Sequence, residues 1–477
     1  MSIEEAGFFL IIILIGSLPR FYLLSKYGWV GKDTFYHFIV AESIKQKGFP
    51  PRTIDQFVIP EQYDYPPLLH VFLSYFDKEH FRKLQYLSPV SDIVTGIVIY
   101  TFSYHYLGVQ VALIAIFIYL VTPFVFDNAL SLNPRSLANL FLVLLLLSWY
   151  NFYMSAGVAW LILSVICSSL VLLSHRLTTQ CLGILFIALS LWTGSWVPFC
   201  VLVAAVALAL VVTKGYFLTV LKGHVAFVRE FGRKFLDRNT RAERAPAFPS
   251  VQYVLFNLPL LVLLPLFFIY PLPIQDVLSQ FLLVWIGALV ILSIAWVFGE
   301  GVRHMICAVP AMAMLWASWI VHNNLYLILV PLGGLSLFFL YYKIARLEAN
   351  PDISGIVSEE LMEAFNYINT NKKPGDVLLC LPLDLTYNAA FFTGCTMLQS
   401  SGGFAKGLGF NQELHRRIDG GRVGEVLSEF SPRWIVVAED TEIDDQLEEL
   451  GWEHVMSGDT AAHVLMKMDD ASKATDF

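Results

Sequence analysis

A series of long apolar runs between residues 7 and 342 constrains the fold of this chain more than any other feature. Each run is close to the roughly 20 residues with which an α-helix crosses the hydrocarbon core of a bilayer. The pattern predicts a polytopic α-helical membrane protein with about eleven transmembrane helices. The predicted spans are 7–24, 88–104, 108–126, 135–151, 157–174, 180–194, 198–213, 252–270, 277–297, 304–320 and 325–342.

The composition changes near residue 347. From there to residue 477 the chain has 23 Asp and Glu but 9 Lys and Arg, a net charge of −14 in a chain whose total is −8. We therefore predict a transmembrane domain over 1–346 and a small, soluble, acidic α/β domain over 347–477. The pattern there predicts helices over Ser358–Asn369, Glu425–Phe430 and Asp444–Gly451, and strands over Asp376–Leu381, Trp434–Ala438 and His463–Met468.

The positive charges lie on one side of the predicted topology. All 31 Lys and Arg fall in the loops of the side that carries the first loop (25–88), the basic loop (214–250) and the C-terminal domain, or in the helix ends beside them. Basic loops normally stay in the cytoplasm, which favours a cytoplasmic location for this side. The alternative is that this side is basic because it handles lipid phosphates.

The basic loop contains an amphipathic pattern. Its apolar residues Val225, Val228, Phe231 and Phe235 recur at roughly helical spacing, which predicts a helix lying among the lipid headgroups. Anchoring to the membrane is the simpler role for such a helix, and gripping an anionic lipid carrier is the alternative.

The first loop carries two carboxylates of interest. Asp33 follows Gly31-Lys32 and opens a predicted helix over 34–47, where a carboxylate can act as a general base or hold a metal ion. A helix-terminal acid that offsets the helix dipole is the alternative. Asp64 precedes Pro66-Pro67, which fix an extended turn and give its side chain a defined direction. We consider both as catalytic candidates, although the second could simply belong to a turn.

Further candidates follow on the same side. Asp127 is a third carboxylate, so Asp33 and Asp127 could share a divalent cation, Mg²⁺ or Mn²⁺. An ion pair between Asp127 and Arg135 is the alternative. Arginines and histidines in the later loops can bind a donor phosphate, or extend to the headgroups from helix ends. These phosphate-binding candidates are Arg135, His175, Arg176, Arg303 and His304, with Gly299 and Gly301 beside Arg303.

Several classes of protein are disfavoured. The sequence has no Ser/His/Asp arrangement, no HExxH motif, no P-loop, and no series of intramembrane acids suited to proton relay. The six cysteines show no disulfide or zinc spacing and are interpreted as packing residues. The N-terminal apolar run is interpreted as a transmembrane helix that is retained rather than cleaved as a signal peptide. Two alternatives to an enzyme remain, a transporter or flippase of lipid-linked sugars and a non-catalytic membrane scaffold.

These residues, in this order, resemble the GT-C superfamily of membrane glycosyltransferases, which includes the oligosaccharyltransferase catalytic subunit and the dolichyl-phosphate-mannose-dependent mannosyltransferases. The motifs that carry the resemblance are Asp-Thr-Phe-Tyr-His at 33–37 after the first helix, residues 41–50, Asp-Tyr-Pro-Pro-Leu at 64–68, the junction 122–139, Arg303 before a span, and the tail from 373.

The resemblance implies an inverting transfer of a sugar from a polyprenyl-phosphate or polyprenyl-pyrophosphate carrier to a hydroxyl of a glycan, lipid or protein acceptor. By matching position, Asp33 would be the base or a metal ligand, Asp127 a second acidic site, and Arg303 the residue that holds the leaving phosphate. The oligosaccharyltransferase tail motif Trp-Trp-Asp has no counterpart here, which argues against asparagine-linked transfer.

The resemblance also implies a location. It indicates a multi-pass protein of the cell membrane whose active face and C-terminal domain are extracytoplasmic, against the charge rule. Membrane lipids are expected partners and nucleic acid is not.

Overall fold

The fold is described from a computed structural model. It describes residues 2–51, 53–58, 61–236, 251–294, 302–349, 356–381, 385–398, 413–414, 416–418, 420–438, 447–457 and 462–467. The glycines at 299 and 301 and the glycine-rich stretch 400–409 lie outside the described residues.

The chain divides into two compact units. The membrane unit comprises Met1–Gly28, Asp64–Leu69 and Lys83–Glu348, and the sheet unit comprises Trp29–Tyr63, His70–Arg82 and Ala349–Phe477. Most of the first loop therefore belongs to the same unit as the C-terminal segment. The division of functions between 1–346 and 347–477 stays a prediction.

The membrane unit is built from helices that follow the apolar runs. Its α-helices are Ile3–Tyr27, Leu87–Leu107, Val109–Val121, Pro123–Ala129, Pro134–Ser155, Val158–Ser174, Arg176–Thr193, Val197–Val212, Phe217–Leu236, Val251–Asn257, Val277–Ile294, Val302–Met305, Val309–His322 and Leu329–Ala349, and its 3₁₀ helices are Pro259–Phe268, Ile306–Ala308 and Tyr326–Ile328.

Six described helical segments are long and apolar enough to cross a membrane. A seventh is present if Val109–Val121 and Pro123–Ala129, which meet at an angle of 59°, form one bent span. The bend occurs at Pro123, which has no backbone N–H to continue the helical hydrogen bonds. Because other apolar helices are shorter, the total of about eleven spans stays a prediction.

The segment predicted as one span over 252–270 is divided in the structure. An α-helix covers Val251–Asn257, and a 3₁₀ helix then covers Pro259–Phe268. Pro259 and Pro265 explain the difference, because each removes a donor that a continuous α-helix would use.

Two charged side chains that the sequence analysis did not single out are buried inside the membrane unit. Arg20 is fully buried, donates from Nη2 to the carbonyl of Leu120 at 3.1 Å, and lies over the ring of Phe126. Asp92 is 2% exposed on the helix Leu87–Leu107. Opposite charges buried within one unit can offset part of the cost of burying each other.

The sheet unit has an aromatic core beside the helix Lys32–Lys47. Phe38 of this helix stacks on Phe81 with ring centroids 4.4 Å apart, and Phe391 lies against both rings. The first loop contributes the helices Lys32–Lys47, Leu68–Ser74 and Lys78–Leu84 and the paired strands Thr53–Ile54 and Glu61–Gln62. Four residues of these helices belong to the membrane unit instead: Leu68, Leu69, Lys83 and Leu84.

A mixed sheet of five strands forms the rest of the described sheet unit. From one edge to the other, the strands are Thr396–Met397, Val377–Leu381, Trp434–Ala438, Ala462–Lys467 and Trp452–Ser457. The first three strands are parallel to one another, and Ala462–Lys467 is antiparallel to both of its neighbours. Helices cover Glu359–Asn371, Thr386–Thr393 and Val423–Phe430. Ser358 caps the first of them as the sequence predicts, whereas the strands at 396–397 and 452–457 were not predicted.

Candidate active site

Asp33 lies in the first turn of the helix Lys32–Lys47, and its side chain is exposed. The helix starts after Gly31, whose φ of 92° is a conformation that glycine adopts without strain. Thr34 ties the same turn down, because its hydroxyl donates to the carbonyl of Val30 at 2.8 Å. The sequence thus places a carboxylate in the first turn of this helix, at its N-terminal end.

Behind this turn is a buried hydrogen-bonded chain of three side chains. His37 Nδ1 lies 2.8 Å from His70 Nε2, and the Tyr63 hydroxyl lies 2.9 Å from His70 Nδ1. His37 is one helical turn after Asp33, and all three side chains of the chain are at most 4% exposed. The chain fixes the helix that carries Asp33. Sequence reasoning missed it, since His70 and Tyr63 had no motif to mark them.

Asp64 and Arg176 are brought together in the membrane unit. They form a buried ion pair, and Arg176 Nη2 also donates to the Asp64 carbonyl oxygen at 2.8 Å. The guanidinium lies over the ring of Tyr65, 5.3 Å from its centroid, and over Phe227 at 5.9 Å. The sequence predicts a catalytic role for Asp64 and a phosphate-binding role for Arg176, and the structure pairs these two residues with each other. Their catalytic and phosphate-binding roles stay predictions.

Gly223 of the helix Phe217–Leu236 packs directly on Asp64. A Cβ at residue 223 would lie 2.6 Å from the Asp64 Cγ and 2.9 Å from its Cβ, distances that real atoms do not tolerate. The helix that the apolar spacing of the basic loop predicts is present as Phe217–Leu236, and its glycine allows the close approach to the ion pair.

Gly223→Ala should therefore destabilise the protein by about 1–3 kcal/mol, because the added methyl group must displace Asp64 from Arg176. Thermal unfolding of the purified protein in detergent measures the change. Gly183→Ala is the matched control, because residue 183 is in a helix with nothing within 4 Å of the added Cβ. A Gly223→Ala variant as stable as the Gly183→Ala control would contradict the packing described here.

His224, next to Gly223, is neutral in the folded protein. Burial, and secondly the charge of Arg176, lower the pKa of His224 from 6.5 to about 4. The unfolded chain therefore takes up this proton first as the pH falls, so the stability that the neutral imidazole contributes is present above pH 6.5 and is lost towards pH 4.

Melting temperatures measured between pH 7 and pH 4 should fall less steeply for His224→Gln than for the unmodified protein. Equal slopes for the unmodified protein and His224→Gln would show that His224 does not titrate in this way.

His175 acts as a helix cap. Its ring nitrogen Nδ1 accepts from the backbone N–H of Thr178 at 3.4 Å and lies 3.1 Å from the Thr178 hydroxyl, at the start of the helix Arg176–Thr193. His304 is fully buried, with Nε2 2.8 Å from Gln180 Oε1, whereas Arg303 is exposed. The hydrogen bond of His304 thus joins the segment of Arg303 to the helix of Arg176.

Asp127 makes an ion pair with Lys343, a partner that the sequence did not predict. Arg135 donates from Nη1 to Asn128 Oδ1 at 3.2 Å. It follows Pro134 in a first turn capped by Asn133, which accepts from the Arg135 N–H at 2.9 Å. Asp127 was predicted from the sequence, but its partner was not, because Lys343 is far away along the chain.

A divalent cation needs several ligand atoms grouped around one point. Among the described residues, no three His, Cys, Asp or Glu side chains are grouped to hold a metal ion. The carboxylate of Asp127 is engaged by the ammonium of Lys343. The Asp127 site therefore does not fit a metal, and no chemical step is assigned to one.

The fold resembles solved membrane glycosyltransferases. ArnT from Cupriavidus metallidurans bound to undecaprenyl phosphate aligns with a TM-score of 0.59 and 15% identity over 96% of this chain and 98% of that one. The oligosaccharyltransferase AglB from Archaeoglobus fulgidus, in complex with an inhibitory peptide and a dolichol-phosphate, aligns with a TM-score of 0.56 and 12% identity over 91% of this chain and 69% of that one.

A second AglB structure, a complex with Zn and sulfate, gives a TM-score of 0.56 at 13% identity over 90% of this chain and 68% of that one. No protein-family model matches the sequence, and no curated protein sequence matches it significantly. The similarity is therefore one of fold. This chain has the fold of the GT-C membrane glycosyltransferases, as the sequence motifs led us to expect.

Proposed function

We propose that this protein is a membrane glycosyltransferase that moves a sugar from a polyprenyl-phosphate or polyprenyl-pyrophosphate carrier to a hydroxyl of a glycan, lipid or protein. The observation that carries the proposal is the GT-C fold over nearly the whole chain, with a carboxylate exposed at the start of the helix that follows the first apolar helix. Neighbours of this fold bind dolichol-phosphate and undecaprenyl phosphate, which supports a lipid-linked donor.

In the proposed reaction Asp33 is the general base. Its carboxylate takes the proton of the acceptor hydroxyl while the hydroxyl oxygen forms a bond to the anomeric carbon of the sugar. The bond from that carbon to the carrier phosphate breaks, and the phosphate leaves with the electron pair. Attack from the opposite face inverts the configuration, and no sugar–enzyme bond forms.

Arg303 is the proposed ligand of the leaving phosphate. A guanidinium can donate two parallel hydrogen bonds to phosphate oxygens and stabilise the charge that develops there. Its side chain is exposed, and the buried hydrogen bond between His304 and Gln180 steadies its segment. A requirement for Mg²⁺ or Mn²⁺ stays a prediction that a chelator tests directly.

Transfer can be tested with the purified protein in lipid vesicles. A polyprenyl-phosphate donor with a labelled sugar is mixed with candidate glycan, lipid and peptide acceptors, and the product is analysed for acceptor and anomeric configuration. Transfer with inversion supports the proposal. Movement of the intact lipid-linked sugar across the vesicle membrane without transfer would indicate a flippase instead.

The active face and the C-terminal segment are proposed to be extracytoplasmic. We expect Gln46→Cys, at an exposed position of the first loop, to react with a membrane-impermeant thiol reagent added to intact cells. Labelling only after lysis would place this loop in the cytoplasm, as the positive-inside rule favours.

A further inference from the structure

Lys343 holds the carboxylate of Asp127 from a distant part of the chain. It lies on the helix Leu329–Ala349, and its ammonium donates to Asp127 Oδ2, to Asn257 Oδ1 at 2.7 Å and to the carbonyl of Pro123 at 3.4 Å. A lysine ammonium has three N–H donors. The three acceptors use all of them, so the charge is fixed in one position.

The two partners are buried to very different degrees. The side chain of Lys343 is 10% exposed and that of Asp127 is 42% exposed. The ammonium nitrogen also lies 5.4 Å from the ring centroid of Phe256, which favours a cation at this place. The ammonium of Lys343 is therefore held inside the protein, while the carboxylate of Asp127 is exposed.

Other positive charges surround this pair. The buried guanidinium of Arg20 acts on Asp127 as well as on Asp92, and the charge of Arg346 acts on Lys343. A divalent cation at Asp127 would face the ammonium of Lys343, which contacts the carboxylate directly. It could bind only if Lys343 moved away or lost its proton, since like charges repel strongly where little water intervenes.

We propose that Lys343 is a positioning residue that orients and neutralises Asp127, and that Asp127 consequently does not ligate a divalent metal ion. The ammonium of Lys343 supplies, next to this carboxylate, the positive charge that a metal ion would otherwise supply. This assignment deepens the proposed function by removing one candidate metal ligand from its site, and it leaves Asp33 unaffected.

Mn²⁺ binding to the full-length protein in detergent, followed by electron paramagnetic resonance, tests the assignment without measuring sugar transfer. We expect Asp127→Asn to bind Mn²⁺ as the unmodified protein does. In Lys343→Met, Mn²⁺ affinity should rise at least about tenfold, because the site loses a like charge, and the rise should vanish when Asp127→Asn is added. Lys343→Arg keeps the positive charge and should bind as the unmodified protein does.

Two results would overturn the assignment. One is an Mn²⁺ site in the unmodified protein that Asp127→Asn removes, a comparison that holds even if the Lys343 variants do not fold. The other is a folded Lys343→Met protein that binds Mn²⁺ no better than the unmodified protein. Failure to find sugar transfer would count against the proposed function alone, because metal binding is measured separately.

Discussion

Asp33→Asn should lower the rate of sugar transfer by about 100-fold or more, because a general base contributes roughly 10²–10⁴-fold and the amide cannot accept the proton. The melting temperature should hardly change, since the side chain is exposed in the first turn of its helix. Transfer rates with a polyprenyl-linked donor and thermal unfolding of the same samples provide both measurements.

Glu79→Gln is the matched control for this variant. Glu79 is also an exposed acid in the first turn of a helix of the sheet unit, so its substitution makes the same change of charge in a similar setting. It should retain the full rate. An Asp33→Asn protein that transfers sugar as fast as the Glu79→Gln control would exclude Asp33 as the base and remove the main support for the proposed mechanism.

Arg176→Met should destabilise the membrane unit by about 3–5 kcal/mol, because it leaves the buried carboxylate of Asp64 without its partner. Asp64→Asn should have a similar effect, because it leaves the buried guanidinium of Arg176 without its counter-charge. The double variant Asp64→Asn/Arg176→Met should be more stable than the sum of the two effects predicts, since neither charge is then left alone. Unfolding in detergent, followed by heat or denaturant, measures all three.

The exposed pair of Lys45 and Asp77 provides the comparison, and Asp77→Asn should change stability little.

The Arg176→Met variant also distinguishes a structural role of Arg176 from a role in binding the donor. If Arg176→Met keeps its stability but binds the polyprenyl-phosphate donor much more weakly, then Arg176 acts as a phosphate ligand, which is the role that the sequence analysis predicted for it.

Much of the local structure was predictable. The helix that starts next to Asp33, the basic helix at 217–236 and the capped helix after Ser358 each arise from a pattern within about 20 neighbouring residues. Three of the four longer strands, at 377–381, 434–438 and 462–467, were marked by apolar runs of the right length, whereas the strand at 452–457 was not predicted.

Partner choice at the site was not predictable in this way. Asp64 could have been a catalytic acid, a turn residue or an ion-pair partner, and only the structure shows Arg176 against it. The same holds for the His37, His70 and Tyr63 chain. Sequence patterns identify charged and polar residues near a membrane boundary, but they do not state which of them meet.

By itself, the sequence determined that this chain forms long apolar helices and a carboxylate-bearing helix in the first loop. These properties depend on hydrophobicity and backbone preference, which act between near neighbours. Only the tertiary structure decided that Lys343 pairs with Asp127 and that Arg176 pairs with Asp64. The physical reason is that a buried charge must find its counter-charge in space, and the helix packing that brings the two together joins residues far apart in the chain.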